Sequence, residues 1–228
     1  SVSPEQQARP KPEPPEGEAP AEARRVVLVE DHAVLRLGLA LLLERQGYEV
    51  VGQVDTAEEA YDLIVRERPD VAIVDIKLPG QSGIELARRL MRAGIGPAVL
   101  LYTGVEDHVL LRDALDCGAR GFVVKTTLPE RFLAAVHAVA AGGSYVDPAV
   151  TATLLSRSVT DHVPLLSVRE REVLDLLARG RTGEEAADSL HLSSETVRTH
   201  VRNAMRKLEA HTRTHAIVLA LRSEQIQL

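Results

Sequence analysis

The sequence predicts a doubly wound α/β domain with a five-stranded parallel sheet, followed by a small all-α domain. Three observations predict it. Between Arg24 and Val146, five short apolar runs alternate with longer segments of helical period. The runs are rich in β-branched residues, as in strands buried on both faces of a parallel sheet. Beyond Pro164 the strand signals stop and only helical spacing with capping signatures remains.

In chain order, residues 1–23 hold six prolines among Glu and Ala and almost no large apolar side chain, so they read as a disordered tail. The strand-like runs are 26–29, 50–54, 71–74, 98–102 and 121–124. The intervening helices are expected at 33–46, 57–67, 83–93, 107–117 and 129–141, the third with Ile84, Ala87, Leu90 and Met91 on one stripe. Thr56 with Glu59 is a capping-box signature, and Pro129 suits a first helical position. Five such units make the first domain, 24–146. Residues 147–164, with Pro148, Ser156, Ser158 and Pro164, read as a linker with one helix. The second domain, 165–228, is expected to carry helices at 167–179, 183–190, 194–209 and 213–223. Ser167–Glu170 and Thr182–Glu185 open the first two as capping boxes, and Ser193 or Ser194 caps the third.

Composition narrows the function classes. The 228 residues are 45% hydrophobic and 26% charged, ordinary for a globular protein. Aromatics are 3% with no Trp, which argues against stacking surfaces for single-stranded nucleic acid. One cysteine excludes a disulfide framework and a Cys-based zinc site, and Cys117 reads as a small buried hydrophobe. His211 and His215 lack a third ligand for zinc. Apolar stretches are too short to span a bilayer and no leader-like segment opens the chain, so a cytoplasmic protein with no membrane partner is expected. The net charge of −6 is uneven. Residues 1–23 carry two basic and five acidic side chains, 24–150 carry 14 and 18, and 151–228 carry 11 and 10.

Ligands of such sheets bind beyond the carboxyl ends of the strands. Glu30 and Asp31 follow the first run, Asp75 ends the third, Thr103 follows the fourth and Lys125 the fifth. Three converging carboxylates cannot all stay ionised without a cation, and all-oxygen ligands suit a hard ion such as Mg²⁺. A carboxylate can act as nucleophile and form an acyl phosphate, with Lys125 neutralising phosphoryl oxygens and Thr103 donating a hydrogen bond to one. His32, beside the acidic pair, reads as a surface residue.

These residues resemble the receiver domain of two-component response regulators over about 25–145. The matching motifs are Glu30-Asp31, Asp75-Ile76-Lys77-Leu78-Pro79 with Ser82-Gly83, Thr103, and Phe122-Val123-Val124-Lys125. The resemblance implies a flavodoxin-like sheet of order 2-1-3-4-5 and a phosphoacceptor at Asp75. It implies Mg²⁺ held by Glu30, Asp31, Asp75 and the Lys77 carbonyl, and a switch pair of Thr103 and Phe122. Glu30 stands where many receivers have Asp, and Phe122 replaces the commoner Tyr.

The expected 194–209 helix puts Val197, Val201, Ala204, Met205 and Leu208 on one face, and Arg198, Thr199, Arg202, Asn203 and Arg206 on another, with Lys207 to the side. Arg pairs bidentately with guanine edges in the major groove. With 182–190 and the His191–Ser194 turn before it, this is a helix-turn-helix arrangement. Residues 166–174 and Thr196-Val197-Arg198-Thr199-His200-Val201 resemble LuxR-type DNA-binding domains, and the chain beyond its tail resembles a NarL/FixJ-type response regulator. By that resemblance Arg198, Thr199 and Arg202 read bases, with Thr196 and Arg206 on the same helix, while Ser194 and Lys207 contact phosphate of double-stranded promoter DNA. It also implies a sensor histidine kinase as partner and a homodimer on phosphorylation or DNA binding, for which residues near 215–222 around Leu219 offer a face. A regulator that binds DNA without a phosphorylation switch is a second reading. A phosphatase with an aspartyl-phosphate intermediate is a third, disfavoured because Lys77 stands where such enzymes need a second Asp as acid/base.

Overall fold

The computed structural model describes residues 23–104, 108–155 and 164–227; residues 1–22, the start of the expected 107–117 helix and the middle of the expected linker lie outside the described residues. The strands are β1 (Arg25–Val29), β2 (Glu49–Val54), β3 (Val71–Asp75), β4 (Ala98–Thr103), β5 (Gly121–Val124) and β6 (Tyr145–Val146). The first five follow the expected runs. All pair in parallel in the order β2-β1-β3-β4-β5-β6. The expected five-stranded order holds, and the two-residue β6 extends it at one edge.

Alternation along the strands sorts the helices onto two faces. Val26, Leu28, Ile73, Leu100 and Val123 point to one face, under α1 (Ala33–Glu44) and α5 (Pro129–Ala140). Val27, Val29, Val74, Leu101 and Phe122 point to the other, under α2 (Ala57–Glu67), α3 (Gly83–Arg92) and α4 (His108–Leu115). Thr56 caps α2 through the Glu59 amide. Ser82 and Glu85 close a full capping box at α3. The expected linker helix is α6 (Pro148–Leu155), capped by the Asp147 carboxylate at the Ala149 amide, 2.9 Å.

The helical domain comprises α7 (Val168–Ala178), α8 (Gly183–Leu190), α9 (Ser194–Lys207) and α10 (Arg213–Arg222). Both predicted capping boxes form, and Ser193 caps α9 at the Thr196 amide. Val173, Leu174, Leu177, Ala186, Val197, Ala204 and Ile217 make its core. His191 ends α8 in the left-handed region, φ 54°, and turns the chain into α9.

Part of α10, whose residues near 215–222 around Leu219 offer a face for a homodimer, packs on the receiver. Val218 is buried in the receiver's own apolar cluster. Thr214 donates to the Ala119 carbonyl, 3.0 Å, and Thr212 to the Leu115 carbonyl, 2.8 Å. His215 Nδ1 approaches Asp116 Oδ1 to 2.6 Å. Leu219 is half-buried against its own domain.

Candidate functional site

The order of strands reverses between β1 and β3, so their carboxyl ends open a crevice there. Glu30 leaves β1 into it with 1% exposure, and Asp75 ends β3 with 3%. Thr103, at the end of β4, is equally buried. Lys125 follows β5, whose last residue, Val124, pairs with Thr103. Gly83 lets α3 start hard against β3: a Cβ there would sit 2.1 Å from the Asp75 carbonyl oxygen.

The side chains converge as expected. Lys125 Nζ lies 2.7 Å from both Asp75 Oδ2 and Glu30 Oε2. Asp75 Oδ1 accepts the Lys77 amide at 3.1 Å. Ligand atoms of Glu30, Asp31, His32 and Asp75 all lie within 4.8 Å of one another. Glu30 Oε2 is buried and, beyond its ion pair, accepts no hydrogen bond. With that oxygen held only by an ion pair, the three carboxylates of Glu30, Asp31 and Asp75 fit a hard divalent cation. Burial pushes the Asp75 carboxyl above the usual range; the Lys125 hydrogen bond opposes the rise and the Glu30 charge adds to it. Burial pulls the Lys125 ammonium down, but hydrogen bonds to Asp75 and Glu30 outweigh it, and the net direction is up. The pocket is therefore short of positive charge.

Some participants were not legible. His32 is 70% exposed, as its surface reading implied, yet Nδ1 sits 2.8 Å from both Glu30 Oε1 and Asp31 Oδ1. The Glu30 hydrogen bond, then the Asp31 and Glu30 charges, raise its pKa. Arg36 donates to the Glu30 carbonyl. Tyr102 donates to the Lys125 carbonyl at 3.4 Å, and its ring lies 5.8 Å from the ammonium. For His32, a basic residue next to the acidic pair after β1 was the available signal. Phe122 is fully buried.

In the helical domain, α9 buries Val197 and Ala204 and exposes Ser194, Arg198, Thr199, Arg202 and Arg206. Arg198 contacts Glu195 at 3.4 Å, and Thr199 donates to the Glu195 carbonyl at 3.0 Å. Thr196 is half-buried and its hydroxyl meets Ser193 Oγ at 2.7 Å. Lys207 points inward, 2.8 Å from the buried Glu170 carboxylate on α7. Its ammonium holds the domain together, which weakens the expectation of a phosphate contact.

Residues 26–137 match the response regulator receiver domain family, and residues 164–220 match the bacterial regulatory proteins of the luxR family. The oxygen regulatory protein NreC of Staphylococcus carnosus is 31% identical over 212 residues, covering 88% of this chain and 98% of its own. The transcriptional regulatory protein LiaR of Bacillus subtilis is 32% identical over 208 residues, with 89% and 99% covered. Among solved structures, the response regulator ChrA of a heme-sensing two-component system is 33% identical with a TM-score of 0.53, covering 90% of this chain and 99% of its own. A structure of two RcsB dimers bound to two parallel DNAs gives 25% and 0.55, covering 88% and 98%. Among the described residues no helix is long and apolar enough to cross a membrane. With a receiver pocket at one sheet end and a LuxR-type helix-turn-helix behind it, the chain belongs to the NarL/FixJ-type two-component response regulators, which are transcription regulators.

Proposed function

We propose that Asp75 takes a phosphoryl group from a sensor histidine kinase and that phosphorylation controls dimerisation and promoter binding by α9. The observation that carries this reading is the Asp75 carboxylate at a strand end, bonded to Lys125 and facing Glu30 and Asp31. An Asp75 oxygen attacks phosphorus, the bond to the donor breaks, and the acyl phosphate is retained. Lys125 neutralises phosphoryl oxygens, and the Thr103 hydroxyl donates to one of them. Mg²⁺ fits the carboxylates of Glu30, Asp31 and Asp75 with the Lys77 carbonyl, and when bound it supplies the positive charge the pocket lacks. Thr103 and Phe122 form the switch. Because Phe122 is already buried, its contribution is repacking rather than entry from solvent.

On DNA, Arg198, Thr199 and Arg202 read base edges, with Ser194, Thr196 and Arg206 alongside. A dimer reads a pseudo-palindromic site. The setting is the cytoplasm, where promoter DNA lies. A small-molecule phosphodonor with Mg²⁺ should label the wild type and leave Asp75→Asn unlabelled, as read by phosphate-affinity electrophoresis. Persistent labelling of Asp75→Asn overturns the phosphoacceptor. Equal operator affinity and equal oligomeric state with and without phosphodonor would favour the switchless regulator.

A further inference from the structure

At the seam between α10 and the receiver, two guanidinium groups meet with no carboxylate between them. Arg213, in the first turn of α10, donates from Nε to Ser144 Oγ at 3.0 Å and from Nη2 to the Gly142 carbonyl at 2.9 Å. Arg120, on the receiver, donates from Nη1 to the same carbonyl at 3.0 Å. Both acceptors are neutral, and Ser144 is buried. Among the described residues neither arginine forms an ion pair; burial, then the Arg120 charge, pull the Arg213 guanidinium down to about 10. A partly buried guanidinium ordinarily has an anion beside it. Each guanidinium has five N–H donors and spends only one or two here. Their planar forks match tetrahedral oxyanions.

We propose that Arg120 and Arg213 form an oxyanion site at this seam that takes inorganic phosphate. One arginine belongs to each domain, so the anion is held by both only while α10 is docked. By linkage, occupancy favours the docked arrangement. A free ion fits better than a DNA phosphate, because Arg213 sits inside the seam whereas the exposed face of α9 carries the residues suited to a duplex.

The test is calorimetric titration of inorganic phosphate into the full unphosphorylated chain without Mg²⁺, with chloride holding ionic strength constant. Saturable one-site binding is expected, weakened at least tenfold in Arg120→Gln and in Arg213→Gln. Arg213→Lys, which keeps the charge, should lose less, and Arg112→Gln, an exposed arginine on α4, nothing. Hydrogen exchange at the start of α10 should slow as phosphate is added. Should Arg213→Gln undock α10 by itself, Arg120→Gln carries the test, since that side chain is exposed on the receiver. Absence of saturable binding, wild-type affinity in both glutamine variants, or an equal response to chloride overturns the site. A parallel titration with a non-specific duplex separates the sources: variants that lose duplex affinity but keep phosphate affinity also overturn it.

Discussion

The two ends of the receiver sheet solve opposite problems with the same strands. At the carboxyl end, β1, β3 and β5 hand charged side chains to one pocket, where three carboxylates and Lys125 sit within contact distance. At the amino end the chain presents backbone carbonyls of Leu115, Ala119 and Gly142, and α10 closes over them with hydroxyls, a guanidinium and Val218. One end is built around charge that wants a ligand. The other is built around hydrogen bonds to backbone carbonyls and apolar contact that exclude water. The β4–α4–β5 segment reaches both, from Thr103, Phe122 and Lys125 at one end to Leu115 and Ala119 at the other. Under the proposed function, a phosphoryl group that repacked Thr103 and Phe122 would therefore act on the segment that holds α10. Only a difference in its binding to docked and undocked forms can shift that equilibrium. Meanwhile the exposed face of α9 stays open. What is covered in this arrangement is the α10 face rather than the arginine-bearing face of α9.

The strongest way to break the carboxyl end alone is Gly83→Ala. A Cβ would press on the Asp75 carbonyl at 2.1 Å and on Val74 Cγ1 at 2.8 Å, both rigid core atoms. The receiver should lose about 3 kcal/mol in denaturant unfolding, with phosphodonor labelling reduced in the same samples. Wild-type stability and labelling would show that α3 and β3 can separate without cost to the pocket.

Opening the seam must be told apart from melting the helical domain, and Glu170 supplies that control. It is buried; burial raises its pKa, but Lys207 and the Ser167 groups outweigh this and the net direction is down. A carboxyl lowered on folding stabilises above its unfolded value of about 4.3. That contribution is lost as pH falls through the lowered folded value. Glu170→Gln should cost the helical domain about 2 kcal/mol at pH 7, less below pH 4, and leave Asp75 labelling intact. A pH-independent loss would mean that packing, not charge, makes the difference.

The carboxyl end was legible because each of its residues follows a recognisable strand, so local pattern and chemistry suffice to bring them together. Glu30, Asp31, Asp75 and Lys125 fall in this class, and Thr103 is buried at the end of β4. His32 is exposed as read, but its contacts with Glu30 and Asp31 depend on the backbone turn after β1, which no periodicity encodes. β6 is two residues long and has no period to read. The amino end was illegible for a different reason. Thr214 meets Ala119 across 95 residues and Thr212 meets Leu115 across 97. Nothing in α10's own spacing distinguishes a face for a second copy from a face for the receiver. Lys207 is the reverse case, a basic residue at a surface-like position whose partner, Glu170, was visible only as a cap.

Weaker perturbations test whether the amino end is a separable lock. Thr214→Val is close to isosteric and removes the buried hydroxyl that donates to Ala119. It should cost docking about 1 kcal/mol, roughly a fivefold shift toward the undocked form. Cys117 offers a native reporter, because it lies between Asp116 and Ala119 in the turn that receives α10. Burial pushes its thiol up to about 11, so at pH 8 about one molecule in a thousand carries the reactive thiolate. Reaction with an aromatic disulfide should be slow in the wild type and about fivefold faster in Thr214→Val if undocking is the route to exposure. An unchanged rate would mean that the receiver's own core buries the thiol and that α10 is not what shields this end of the sheet.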